Sequence, residues 1–178
     1  NEKNALTVSA ATVGGAFALT TGGATTLQTV TATGAVNVNV SAGDLTVGNL
    51  TGGGSVSLTT AQSGGNLSIA SLTATDQAVT LSSQGAVLDG DSTPDSVDIT
   101  AGSLTITAAS VGISTNALDT DVTTLTLTTS GASTLNEKNA LTVSAATVGG
   151  AFALTTGGAT TLQTVTATGT VNVNVSAG

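Results

Sequence analysis

The sequence predicts an all-β fold, a parallel β-helix (β-solenoid) whose coils of about 19 residues stack along a single axis. Three observations predict it: a long internal repeat, a recurring apolar–hydroxyl–apolar triplet, and Gly-rich breaks between short alternating segments.

The repeat comes first because it constrains everything else. Residues 1–43 and 136–178 are identical except that Ala35 in the first is Thr170 in the second, an offset of 135 residues. So exact a copy implies tandem duplication. Residues 1–135 read as one full repeat and 136–178 as the start of the next, within a single continuous solenoid without caps.

The triplets supply the shorter period. Leu6-Thr7-Val8, Leu45-Thr46-Val47, Leu67-Ser68-Ile69, Leu104-Thr105-Ile106 and Leu141-Thr142-Val143 share one pattern, with weaker versions ending at Leu27, Leu88 and Leu125. Anchored on their last residues, the triplets recur every 18–22 positions, which predicts seven coils per 135-residue repeat and about nine in the chain. The middle residues would form an outward hydroxyl column of Thr7, Thr26, Thr46, Ser68, Thr105 and Thr124, interrupted by Val87. The residues after the anchors have no common type, so one regular column is expected.

A second alternation follows each anchor: Phe17/Leu19, Val36/Val38/Val40, Val56/Leu58, Val79/Leu81 and Val97/Ile99. Period-two alternation marks strands with one buried face. Gly14-Gly15, Gly22-Gly23, Gly52-Gly53-Gly54 and Gly64-Gly65 supply the corners. Thr, Val and Gly are poor helix formers and no 3.6-residue spacing persists, so no helix is expected. One such coil cannot cover its own apolar strip, so stability has to come from its neighbours.

Composition excludes much chemistry. The chain has no Cys, His, Met, Trp, Tyr or Arg, two Lys, two Phe and a net charge of −8. Thiolate and imidazole metal sites and His-dependent nucleophiles therefore lack their essential residues. Nucleic-acid binding is not expected from so few cations, nor membrane insertion without a long apolar run. No enzyme activity is expected.

The segment GDLTVGNLTGGGSVSLTTAQSGGNLSIASLTATDQAVTLSSQGAVLDG (43–90) resembles the β-helical repeats of large bacterial exoproteins of the filamentous-haemagglutinin type. That resemblance implies a right-handed parallel β-helix forming a rod on, or shed from, a bacterial cell surface. It also implies an extracellular location and a role in adhesion or extracellular matrix.

Six of the ten acids, Asp89, Asp91, Asp95, Asp98, Asp119 and Asp121, lie in one stretch without a cation. Asp89, Asp91 and Asp95 have a spacing similar to calcium loops, and Asp98 and Asp119 are about one coil apart, close enough to stack. Two readings stay open: Asp89, Asp91, Asp95, Asp98 and Asp119 hold Ca2+, or they are solvated turn residues that bond the local backbone. Glu2-Lys3 and Glu137-Lys138 are expected to form local charge pairs at corners.

The function expected is that of an extracellular structural fibre, sheath or filament, with an adhesin shaft as the alternative. A polysaccharide-active β-helix enzyme and an ice-binding protein are remoter readings. Its partners would be copies of itself, end to end and side by side, and beyond them the cell surface or matrix.

Overall fold

A computed structural model describes residues 2–91 and 96–176. All regular structure in it is β: nineteen strands joined by parallel pairing into one continuous sheet that winds into a solenoid of about eight turns. Among the described residues there is no helix, and so none long and apolar enough to cross a membrane.

Each early turn has three faces, one more than the alternation predicts. The first turn contributes Leu6–Val8, Ala11–Val13 and Phe17–Thr21. Later strands run through the corner between the first two faces, as in Thr25–Ala32 and Leu45–Gly52, and the third face follows as Val36–Val40 and Val56–Thr60. On the first face the anchors stack as expected, Val8 on Leu27, Leu27 on Val47 and Val47 on Ile69. The second face stacks Val13 and Ala32, then Val30, Leu50, Leu72 and Ile99. The third stacks Leu19, Val38, Leu58, Leu81, Ile106 and Leu127.

The core is a column of Leu, Val and Ile contributed by every turn. Its dependence on stacking is visible in the duplicated segment, where sequence is held constant while the covering turn and the face occupied differ. Leu27 and Val36 are 0% and 1% exposed, whereas Leu162 and Val171, their counterparts in the last turn, are 41% and 47% exposed. Burial is therefore a property of the neighbouring turn and not of the segment itself.

Polar residues that face inward at the corners satisfy one another. Thr21 and Thr25 share a hydroxyl–hydroxyl hydrogen bond of 2.6 Å, as do Thr156 and Thr160, while Thr129 and Ser133 lie at 2.9 Å. Gly carbonyls take the remaining protons: Thr129 Oγ1 donates to Gly131 O at 3.0 Å and Thr60 Oγ1 to Gly65 O at 2.8 Å. The Gly residues serve close approach as well as turning. A Cβ on Gly149 would collide with the Ser130 carbonyl of the preceding turn, whereas Gly14, the same sequence position one repeat earlier, has nothing within 4 Å.

The register corrects the coil count. Pairing carries the first-face column from Leu6 through Thr25, Leu45, Leu67, Val87 and Val111 to Ser133, which is six turns. Leu141, the duplicate of Leu6, comes eight residues later, a little under half a turn on. The 135-residue repeat thus spans about six and a half turns, not seven closing without remainder. The reason is extra chain at one corner. Early turns pass from Val47 to Leu50 or from Ile69 to Leu72, but later ones pass from Asp89 to Ile99 and from Val111 to Leu118.

Consequently the two copies lie on different faces. Phe17 stacks with Val36 on the third face, while Phe152 stacks on Ser133 in the first-face column. Leu6-Thr7-Val8 lies on the first face, while Val143 pairs with Leu125 on the third. Three anchors move accordingly. Asp89, not Leu88, lies opposite Ile69, and Ile106 and Leu125 belong to the third-face stack. Val87 points inward, so Leu88 interrupts the outward column after Ser68, and Ile99 joins the second face.

Candidate metal centre

The acids gather where the chain leaves and rejoins the ladder. Asp89 ends the strand Ala86–Asp89, in a column whose earlier members are Val8, Leu27, Val47 and Ile69. A carboxylate thus occupies an inward, otherwise aliphatic register position. Asp98 immediately precedes the strand Ile99–Ala108, and Asp119 lies in Leu118–Thr129 on the following turn.

Asp98 and Asp119 are stacked as their spacing predicts. The backbone N–H of Asp98 donates to Asp119 O at 2.9 Å, and Asp119 N–H donates to Asp98 Oδ2 at 2.9 Å. One carboxylate oxygen from each of Asp89, Asp98 and Asp119 lies within 4.8 Å of the others. Asp98 is 0% exposed, and its Oδ1 is buried without a hydrogen-bond partner. Asp119 is also buried and its Oδ1 accepts from Asn136 Nδ2 at 3.1 Å; Asp89 is half-buried.

Burial pushes the Asp98 carboxyl up to about 8, since a charge removed from water is disfavoured. The Asp119 N–H opposes the rise, while the charges of Asp89, Asp119 and Asp91 add to it. Every charge named there is negative. Lys138 is 3.5 Å from the Asp121 carboxylate on the outer surface, and that pair, not Glu137–Lys138, is the ion pair made at this corner.

Of the five acids expected to share a cation, three come together. Asp91 stands beside them: its N–H donates to Asp89 Oδ1 at 2.8 Å, and Ser96 Oγ donates to Asp91 Oδ2 at 2.8 Å. The D-x-D portion is therefore a local turn, as the alternative reading expects of Asp. Asp95 lies outside the described residues.

Two participants were not anticipated from sequence. Asn136 holds Asp119, and Glu137 faces inward one turn further on. Glu137 is buried and accepts from Thr120 Oγ1 at 2.9 Å, Val122 N at 3.0 Å and Asn139 N at 3.0 Å. Burial raises its pKa, and those three donors oppose the rise. Its duplicate Glu2 is lowered instead, by the N–H groups of Asn4 and Lys3. The only sequence signal for Glu137 was its register, equivalent to Leu72 and Ile99. A pocket of about 340 Å³ lined by Val97, Asp119, Thr120, Asn136, Glu137 and Lys138 opens onto this side of the cluster.

Oxygen is the only donor type here, so hard cations are the metals these residues fit. Comparison with known proteins finds no matching family model, no matching curated protein and no matching solved structure.

Proposed function

We propose that the chain is a segment of an extracellular structural fibre, carried on or shed from a bacterial surface, in which solenoid turns continue from repeat to repeat. The observation that carries this reading is the duplicated segment, whose apolar residues are buried only where another turn covers them. Such an element gains stability by extension, as a fibre requires. Sparse charge supports it, because the outward columns are mostly Ser and Thr and lack the gatekeeping charges that keep β surfaces apart. A role as the shaft of a cell-surface adhesin uses the same properties. An enzymatic role is disfavoured because Asp98 is fully buried and no Trp or Tyr offers a platform for sugar.

Electron microscopy of the native material tests the fibre reading. Rods that lengthen by about 31 Å per 135-residue repeat are expected, from six and a half turns at about 4.8 Å each. Compact particles with no rods would refute it.

One observation favours a second reading, ice binding. The outward residues of four successive third-face turns are Ser57 and Thr59, Thr80 and Ser82, Thr105 and Thr107, and Thr126 and Thr128. They form two aligned columns, where the sequence suggested one. Spacings of about 4.8 Å between turns and about 6.6 Å between alternate residues give an uncharged hydroxyl grid on the scale of an ice lattice. Ice-recrystallisation assays test it. Inhibition that is abolished by Thr107→Lys, with melting unchanged, is expected on this reading, and no inhibition by the parent chain would dismiss it.

A further inference from the structure

We propose that Asp89, Asp98 and Asp119 bind one Ca2+ ion, which pins the two ends of the excursion between Asp89 and Ile99 to the next turn of the solenoid. The proposal is independent of what the rod is for. It rests on an orphaned atom, a charge imbalance, a length scale and a position in the ladder.

The orphaned atom is Asp98 Oδ1, buried at a fully covered residue with no donor to meet it. Buried polar atoms without partners are rare and costly, and an acceptor inside a cluster of acceptors calls for a proton, a cation or a water donor, of which a cation alone also offsets the clustered charge. The imbalance is that three carboxylates converge while Lys138 is engaged with Asp121. Like charges this close repel strongly unless a positive charge lies between them.

The length scale admits the ion. Ca2+ holds oxygens at about 2.3–2.6 Å, so two ligands on opposite sides are separated by up to about 5 Å. For Mg2+, at about 2.0–2.1 Å, the limit is about 4.2 Å. Oxygens lying within 4.8 Å of one another are inside the span of Ca2+, the less demanding of the two ions in geometry. Ca2+ also accepts irregular shells of six to eight oxygens, so water entering from the adjoining pocket can complete the set.

Position gives the ion its role. The parallel register is lost after Asp89, regained at Ile99, and Asp98 is already bonded to Asp119 on the next turn through two backbone N–H groups. An ion shared by these residues ties the end of the strand Ala86–Asp89 and the start of the strand Ile99–Ala108 to the following turn.

The test uses the 178-residue chain stripped with EDTA, then titrated with CaCl2 or MgCl2 while calorimetry counts sites and circular dichroism follows melting. One Ca2+ site per chain is expected, with Tm rising by about 5–10 °C at a hundredfold excess of free ion over Kd. Mg2+ should give a smaller shift at the same concentration. Asp98→Asn should abolish the calcium response while melting in EDTA at least as high as the parent, because the amide keeps the shape and cannot ionise. Asp121→Asn, on the outer surface, should retain the response. A parent chain whose Tm is the same in EDTA and in millimolar CaCl2 would overturn the proposal, showing that the cluster is satisfied without a metal ion. So would an Asp98→Asn variant with an undiminished calcium response.

Discussion

Leu27 and Leu162 share the sequence Thr-Thr-Leu-Gln-Thr, so truncating each to alanine in separate chains separates local sequence from stacking. Leu27 is fully buried beneath Val47 and above Val8, whereas Leu162 lies in the last turn and is 41% exposed. Removing a buried Leu side chain costs about 2–5 kcal/mol, through lost transfer free energy and the cavity left in packed surroundings. With about 3 kcal/mol as the central value, and about 2–4 °C per kcal/mol for a chain of this length, Leu27→Ala should lower Tm by about 6–12 °C. Leu162→Ala leaves no enclosed cavity and should cost less than about 1 kcal/mol, a fall of no more than about 4 °C. Circular dichroism melts and urea titrations of the two variants in parallel measure both quantities. Equal losses would mean that burial is set within each segment, and the stacking argument would fail. As an internal check, appending residues 44–60 after residue 178 should raise the cost of Leu162→Ala towards that of Leu27→Ala.

Other outcomes follow from the same structure. Gly149→Ala should destabilise by about 1–3 kcal/mol because its Cβ meets the Ser130 carbonyl, while Gly14→Ala, with open space around it, should be neutral or slightly stabilising in the same denaturation assay. In EDTA, stability should fall as pH rises from about 4 to about 8. Glu137 and Asp98 have folded pKa values raised above their unfolded ones, so the stability they contribute is complete below about pH 4 and lost as each deprotonates in the folded state. Each such group contributes a slope of at most about −1.4 kcal/mol per pH unit, read from urea midpoints between pH 4 and 9, and a rise in stability over that range would contradict the assignment.

Much of the fold is legible in the sequence, and the exceptions have identifiable causes. Leu6-Thr7-Val8, Leu45-Thr46-Val47 and Leu67-Ser68-Ile69 announce the stack because inward aliphatic residues flank an outward hydroxyl. The second face was harder to see: Ala11-Thr12-Val13 has the same alternation but a small leading residue, so its apolar signal is weak. Face assignment past Asp89 was not legible at all. An apolar–Thr–apolar triplet satisfies any of the three faces equally, since a parallel ladder requires only extended backbone and an inward aliphatic pair. The corner excursions decide which face comes next, and they have no hydrophobic period to read. That degeneracy placed Ile106 on the wrong stack and concealed the second hydroxyl column formed by Thr107 and Thr128. It also hid Asp89, an acid in a position where hydrophobicity predicts Val or Ile. The pairing of Asp98 with Asp119 was readable because a separation of about one coil brings two residues side by side on consecutive turns.

The central claim is that the turns stack in parallel with the stated register, and a ladder of spin-label distances tests it most directly. The chain has no Cys, so labels can be placed at will. Thr20, Asn39, Thr59, Ser82, Thr107, Thr128, Thr147 and Thr166 form one outward column, each a turn beyond the last. With one label at Thr20→Cys and the second at Thr107→Cys, Thr128→Cys, Thr147→Cys or Thr166→Cys, pulsed dipolar measurements should give separations of about 19, 24, 29 and 34 Å. A constant increment near 4.8 Å is the predicted result. Distances that fail to grow with each turn, or that shorten where a chain doubles back as in hairpins, would contradict it.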